Sequence, residues 1–175
     1  MLYSFVKRGL DIIFSLTLII VLAPVFLIVS IAICIESRGG AFFKQERIGK
    51  NEKVFKIYKF RSMCVNAENT GTGVYSGTND PRVTKIGKLI RATSIDELPQ
   101  LFNIFLGQMS FIGPRPVLTY HPWPIDEYTA NQRKRFLVRP GITGLAQIHG
   151  RKQTPWVERI RYDLEYVNGV SFFMD

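Results

Sequence analysis

Two neighbouring carboxylates, Asp96 and Glu97, are the most chemically suggestive residues in the chain. They stand in Ser94-Ile95-Asp96-Glu97-Leu98-Pro99, just ahead of apolar positions at Leu101, Phe102, Ile104 and Phe105. A carboxylate can attack a phosphoryl group or hold a divalent cation. Ser94 and Glu97 also match a capping box, with Ser94 as N-cap and Glu97 three positions in. Pro99 fits that frame badly, because it has no amide hydrogen to give the helix. A helix starting at Asp96 would put Pro99 in the first turn, where it is tolerated. On this motif alone, capping and compensation of the helix dipole are the more economical account of the acidic pair.

The basic residues shift that balance. Lys59, Arg61, Lys85, Lys88, Arg91, Arg115 and Arg139 lie in segments that flank or lead into the acidic element. Arg115 sits between Pro114 and Pro116, in a loop stiffened toward extended backbone. Arg139 precedes Pro140 and the turn residue Gly141. Rigid loops that display arginines suit phosphate, which a guanidinium grips with two parallel hydrogen bonds. Several such loops around an acidic pair make a coherent phosphate site, although each arginine singly reads as surface.

Other chemistries find no support. His121 and His149 are the only histidines and lack zinc-ligand spacing. Neither a P-loop nor a helix-opening G-x-G-x-x-G occurs, and Gly71-Thr72-Gly73 reads as a flexible tip. Trp123, Trp156, Tyr162 and Tyr166 could stack a base, with packing as their commoner role. The two cysteines, Cys34 and Cys64, stand apart in different surroundings, which suits a reducing compartment and no disulfide framework.

The elements that must position these groups come from the rest of the pattern. At 175 residues the chain is one domain with room for an appended segment. With 46% hydrophobic and 21% charged residues it is not disordered. The net charge is +9, and residues 36–175 hold 21 basic and 13 acidic groups, which fits an anionic partner.

Ile12 to Ile35 carries no charge over 24 residues. As a helix it would be about 36 Å long, enough for a hydrocarbon core of roughly 30 Å. That length without a polar stripe points to membrane insertion rather than to a core helix or a signal peptide. Lys7 and Arg8 flank one end, and Arg38, Lys44 and Arg47 the other, so the positive-inside rule wants both ends in the cytoplasm. Pro24 sits near the middle and would kink the helix. Two arrangements answer this: a re-entrant helix that bends at Ala23-Pro24, or a spanning helix with a tolerated proline.

Downstream, Ala41-Phe42-Phe43 and Lys53–Phe60 read as strands of a hairpin around Gly49-Lys50-Asn51-Glu52. Residues 66–81 read as a polar, mobile loop. Helices are expected with Ile86, Leu89 and Ile90 on one face, from Ser94 through Phe105, over 126–137, and over 156–168. In the last of these, Val157, Ile160, Leu164 and Val167 would face inward. A short strand is expected over 145–148, after the tight loop at 139–144.

Taken in order, these segments resemble the bacterial sugar transferase family, the monotopic phosphoglycosyl transferases of glycoconjugate assembly. The resemblance covers essentially the whole chain. It rests on Lys7-Arg8, the proline-bent run, Phe55-Lys56-Ile57-Tyr58-Lys59-Phe60-Arg61-Ser62-Met63, Ser94 through Asn103, and Met109 through Pro116. Val138-Arg139-Pro140-Gly141-Ile142-Thr143-Gly144 and Ser171-Phe172-Phe173-Met174-Asp175 complete it. One departure is Ala23-Pro24, where the family often has Ser-Pro. The sequence stops at Asp175, directly after the last of these motifs, as expected of a minimal or shortened form.

The resemblance implies transfer of a sugar 1-phosphate from a UDP-sugar to a polyprenol phosphate, with Mg²⁺, at the cytoplasmic face of the bacterial inner membrane. It implies Asp96 as nucleophile, passing through a covalent aspartyl-phosphosugar with release of UMP, and Glu97 as its acidic partner. Adjacent residues on a helix point about 100° apart, so one carboxylate attacks and Glu97 is expected to hold the metal. Lys59, Arg91, Arg115 and Arg139 match segments that contact diphosphate or lipid phosphate. The expected fold is α+β. Residues 1–36 form a membrane-inserted, re-entrant helix, and 37–175 a cytoplasmic catalytic body with a short sheet and amphipathic interfacial helices. Membrane lipid is an expected partner and nucleic acid is not, because no nucleic-acid-binding motif is present. The alternative readings are a membrane-tethered basic protein that binds phosphate or lipid without catalysis, and a Mg²⁺-dependent phosphohydrolase.

Overall fold

The computed structural model describes residues 2–71, 73, 80–149 and 154–175. It is a mixed α+β fold. The apolar N-terminal run forms two helices, α1 (Leu2–Val21) and α2 (Ala23–Glu36), bent by 59° at Leu22. The break falls where the sequence places it. Pro24 occupies the first turn of α2, the one place in a helix where a missing amide hydrogen costs nothing. Neither helix alone is long and apolar enough to cross a membrane, but the bent pair together has the length and composition. Both helices leave large apolar side chains exposed, among them Ile13, Ile20, Leu27, Ile28 and Ile35.

The helix begins well before the uncharged run, and its polar first turns hold it to the body. Asp11, 4% exposed, accepts from the Ser110 hydroxyl (3.1 Å) and the Phe111 amide (3.2 Å). Arg8 donates to the carbonyls of Ile104 (2.6 Å) and Phe105 (2.8 Å), and Lys7 pairs with the Asp175 carboxylate. The basic pair expected to flank a membrane segment thus has protein partners.

The hairpin forms as expected but is longer. β1 (Phe42–Ile48) pairs antiparallel with β2 (Val54–Phe60), with Phe42 opposite Phe60 and Ile48 opposite Val54. A two-residue strand, β4 (Val117–Leu118), adds to the other side of β1, and β3 (Ser110–Ile112) precedes it. β3 pairs in parallel with β5 (Gly141–Thr143). This approach is so close that a Cβ on Gly141 would lie 2.2 Å from the Gly113 nitrogen, and one on Gly113 2.4 Å from the Arg139 carbonyl oxygen. Two glycine-bearing motifs distant in sequence are thereby fused back to back.

Several helical expectations are corrected. In α3 (Lys85–Ala92), Ile90 is buried and Ile86 partly so, but Leu89 is exposed. The helix expected from Ser94 is broken. A single 3-10 turn spans Ile95–Glu97, and α4 (Gln100–Phe105) starts only after Pro99. A proline clashes with the carbonyl four residues back, so a continuous helix through Ile95 and Pro99 is not available. The charged helix expected over 126–137 is also three short pieces: a 3-10 turn at Ile125–Glu127, α5 (Ala130–Arg133) and a 3-10 turn at Lys134–Leu137. Thr129 and Gln132 close a complete capping box that starts α5 afresh.

Beyond the tight loop, the expected order reverses. Gly141–Thr143 is the strand and α6 (Leu145–Ile148) is a helix, not a strand. The last helix, α7 (Trp156–Gly169), buries Ile160, Asp163 and Tyr166, with Leu164 partly buried and Val157 exposed. In the loop at 66–81, positions 72 and 74–79 lie outside the described residues. Its described part is fastened by Arg82, which donates to the carbonyls of Ala67, Thr70 and Gly73, each at 2.6 Å.

Candidate active site

Asp96 and Glu97 do not sit on a capped α-helix. Ser94 adopts a left-handed conformation (φ 58°) and its side chain makes no cap hydrogen bond, so the capping box is absent. Capping therefore does not explain the acidic pair. The 3-10 turn is closed by backbone bonds from Glu97 N–H to Ser94 O and from Leu98 N–H to Ile95 O, each 3.1 Å. It is framed by α3 on one side and α4 on the other.

β2 brings the first cation. It is an edge strand of its three-stranded sheet, and Asn103 of α4 takes the place of a neighbouring strand. This fully buried amide accepts from the Tyr58 N–H (2.9 Å) and donates to the Lys56 carbonyl (2.8 Å). One residue further along, Lys59 reaches Glu97 at 2.6 Å. From the opposite side, Arg115 contacts the same Glu97 oxygen at 3.2 Å. Arg91 of α3 lies near enough to favour the ionised form of Asp96, and its Nε donates to the Ser62 hydroxyl at 2.9 Å. α3 comes this close because position 87 is glycine, where a Cβ would lie 1.9 Å from the Ser62 carbonyl oxygen.

The two carboxylates are tuned apart. Burial raises both. At Glu97, Lys59 and Arg115 overcome it and hold the acid down to about 2. At Asp96, burial and the Glu97 charge outweigh Lys59 and Arg91, and its acid stays above the ordinary carboxylate value. Among the described residues Asp96 has no ion pair within 4 Å, whereas one Glu97 oxygen carries both cations. Adjacent carboxylates with divergent environments are the usual mark of divided labour. Burial lowers the Lys59 ammonium, against the pull of Glu97.

Lys59, Arg91 and Arg115 are thus gathered around the acidic pair, and Arg139 is not. Its Nε donates to the Gly107 carbonyl (2.8 Å), beside Arg8 and beyond the C-terminal end of α4. The site also holds a residue that sequence reasoning placed only among the basic flank. Arg47 of β1 lines a small cavity with Lys59, Gln100 and Arg115, and donates to the Pro116 carbonyl at 3.1 Å. Burial and the neighbouring Arg115 charge lower its acid to about 10. Strand alternation through Phe43, Gln45 and Arg47 was the available signal.

No cluster of three or more metal-ligating side chains occurs among the described residues. Mg²⁺ does not require one, because it commonly binds through one or two carboxylates plus substrate phosphates. Asp96 and Glu97 fit that role: Glu97 is ionised throughout the physiological range, and only one of its oxygens is engaged.

The profile for "Bacterial sugar transferase" matches residues 2–175. The chain belongs to the bacterial sugar transferase family. It is 44% identical over 174 residues to a UDP-glucose:undecaprenyl-phosphate glucose-1-phosphate transferase of Klebsiella pneumoniae, covering 97% of this chain and 37% of the relative. It is 41% identical to a UDP-N-acetylgalactosamine-undecaprenyl-phosphate N-acetylgalactosaminephosphotransferase of Aeromonas hydrophila, covering 99% of this chain and 42% of the relative. A third member of the family, the exopolysaccharide production protein PSS of Rhizobium leguminosarum bv. phaseoli, is 42% identical and is covered over 88% of its length. The chain therefore spans about two fifths of the first two relatives and most of the third.

Proposed function

We propose that this chain transfers a sugar 1-phosphate from a UDP-sugar to a membrane polyprenol phosphate, releasing UMP, and so begins the assembly of a glycoconjugate. The family relationship supports the reaction class. The observation that carries the reading is the asymmetric acidic pair: Asp96 without an ion pair among the described residues, Glu97 clamped between Lys59 and Arg115.

The chemistry follows from that asymmetry. The Asp96 carboxylate attacks the phosphorus that bears the sugar, and the bond to the oxygen of the leaving UMP breaks. An acyl-phosphate holds the sugar phosphate until a polyprenol phosphate oxygen attacks the same phosphorus and expels the Asp96 carboxylate. Two displacements replace one direct encounter between a water-soluble donor and a membrane-bound acceptor. Lys59, Arg91 and Arg115 draw the diphosphate in and offset the repulsion between an anionic nucleophile and its target. Glu97, with Asp96 beside it, would hold Mg²⁺, which supplies charge neutralisation on the phosphate oxygens when bound.

The bent α1–α2 pair, with its exposed apolar side chains, supports a re-entrant membrane segment with both ends on the cytoplasmic side. The body then lies at the inner membrane surface, where both substrates meet. The test is a panel of UDP-sugars, UDP-glucose and UDP-N-acetylgalactosamine among them, offered with undecaprenyl phosphate and Mg²⁺. The expected result is UMP together with a lipid-linked diphosphosugar. UMP with free sugar phosphate and no lipid product would mean a phosphohydrolase. No UMP from any donor would leave a binding protein.

A further inference from the structure

The Pro114-Arg115-Pro116 loop has two positions without an amide hydrogen, so it depends on its carbonyls for anchorage. All three carbonyls are held, each by a different element. Gly141 N–H of β5 donates to Pro114 O (2.9 Å), Arg135 Nη2 to Arg115 O (3.0 Å), and Arg47 Nη1 to Pro116 O (3.1 Å). The middle anchor has an unusual foundation. Arg135 pairs with Asp163 of α7 at 2.6 Å, and the two side chains are 2% and 3% exposed.

This pair is poorly explained as a stabilising contact. A buried ion pair loses the hydration of both charges and breaks even only with excellent supporting hydrogen bonds. Among the described residues, the Nε and Nη1 of Arg135 are buried without a hydrogen-bond partner within 3.5 Å, although the Tyr128 hydroxyl lies close enough to feel the guanidinium. Apolar side chains of similar volume could fill the same place, beside Ile48, Val117, Phe136 and Ile160, without desolvating two charges. What apolar side chains could not do is hold the Arg115 carbonyl. The side chain of that same Arg115 meets Glu97 at 3.2 Å.

We infer that Arg135, clamped by Asp163, is a positioning pair that sets Arg115 in the site, so that helix α7 governs a phosphate contact through the backbone of the loop that carries it. The inference rests on the proposed reading of Arg115 as a donor-phosphate ligand. The pair acts through the backbone of residue 115 and has no part in the chemistry itself.

The test is a double-mutant cycle on the full chain in detergent or nanodiscs. Arg135→Met with Asp163→Leu removes the pair, and Arg115→Met removes its target. In the native background, removal of the pair should lower the melting temperature by a few degrees at most, the loss of the single hydrogen bond at the Arg115 carbonyl. It should raise the donor KM about tenfold while the acceptor KM stays within twofold. In the Arg115→Met background, the same removal should change kcat/KM for the donor by less than twofold. Equal losses in both backgrounds would overturn the inference and return the pair to a structural role. Should the apolar double variant not fold, Asp163→Asn enters the same cycle, with the same non-additivity expected and additivity again refuting it. An unimpaired Arg115→Met variant would instead refute the reading of Arg115 itself, so the two failures are told apart by that single substitution.

Discussion

Replacing Asn103 with Leu should disassemble the site from behind. The side chain is fully buried and makes three hydrogen bonds: from Tyr58 N–H (2.9 Å), to Lys56 O (2.8 Å) and to Gln108 Oε1 (2.7 Å). Leu fills a similar volume but leaves the Tyr58 amide and the Lys56 carbonyl without partners. A buried backbone group left unpaired costs about 1–3 kcal/mol, so two cost about 2–6 kcal/mol. At about 2–4 °C per kcal/mol for a domain of this size, a central loss near 4 kcal/mol lowers the melting temperature by roughly 8–16 °C. Because Lys59 follows directly on the braced segment, kcat/KM should fall even where the variant is fully folded. Thermal unfolding in detergent, read beside donor turnover at a temperature well below the transition, checks both. Asn103→Asp, which keeps the acceptor and loses both donors, should also be destabilised. A melting temperature within about 3 °C of the native one, with normal turnover, would show that the edge of β2 is held by something other than this amide.

Four further outcomes follow. Arg115→Lys keeps the charge but loses the planar fork, so kcat/KM for the donor should fall by a factor equivalent to about 1.5–3 kcal/mol, roughly ten- to 150-fold. Unchanged kinetics would make Arg115 structural. The acid limb of kcat/KM should reflect ionisation of Asp96, above the ordinary carboxylate value. Lys59→Met should move that limb to higher pH, since Lys59 is the main charge favouring the Asp96 anion. Glu97 has its acid lowered to about 2, so its contribution to stability is full above the unfolded carboxylate value and is lost as pH falls toward 2. That contribution is on the order of 3 kcal/mol, so the stability gap between the native protein and Glu97→Gln should close as pH falls from about 4.5 to 2. Pro24→Ala should favour a straight α1–α2 helix, pulling Lys7, Arg8 and Asp11 off the body and carrying the N-terminus across the membrane. A single cysteine replacing exposed Phe5, in a background lacking Cys34 and Cys64, should be labelled from the cytoplasmic side in the native sequence and from the outside in the variant.

How much of this was legible depended on how local the cause was. The hairpin and the Leu22 break follow from turn residues and from Pro24, which act within a few positions of themselves. The acidic pair was visible too, but its setting was misread. Ser94 and Glu97 satisfy a capping pattern, and only the left-handed backbone at Ser94 with the clash imposed by Pro99 shows that no α-helix starts there. The strand at Gly141–Thr143 was hidden because its partner, Ser110–Ile112, lies some thirty residues earlier and neither run alternates. Asp11 and Asp163 are hidden for a related reason: each is a polar residue whose partners come from a distant segment, and nothing in its own neighbourhood distinguishes it from surface. Arg47 reads only as a basic flank and Asn103 only as the end of a motif, because the groups they hold, Pro116 O and the Lys56 and Tyr58 backbone, are equally remote. Arg139 is the converse, a residue prominent in its motif that lies away from the carboxylates.

The decisive question is whether Asp96 itself takes the sugar phosphate. The protein, in detergent with Mg²⁺ and a UDP-sugar that it turns over, is to be held without any polyprenol phosphate. A burst of UMP stoichiometric with protein is expected, and a mass increase of one sugar phosphate on the peptide containing Asp96. Both should vanish in Asp96→Asn. UMP that appears only once lipid is added, with no modified peptide, would contradict that covalent step and reduce Asp96 to a metal ligand for direct attack by the lipid phosphate.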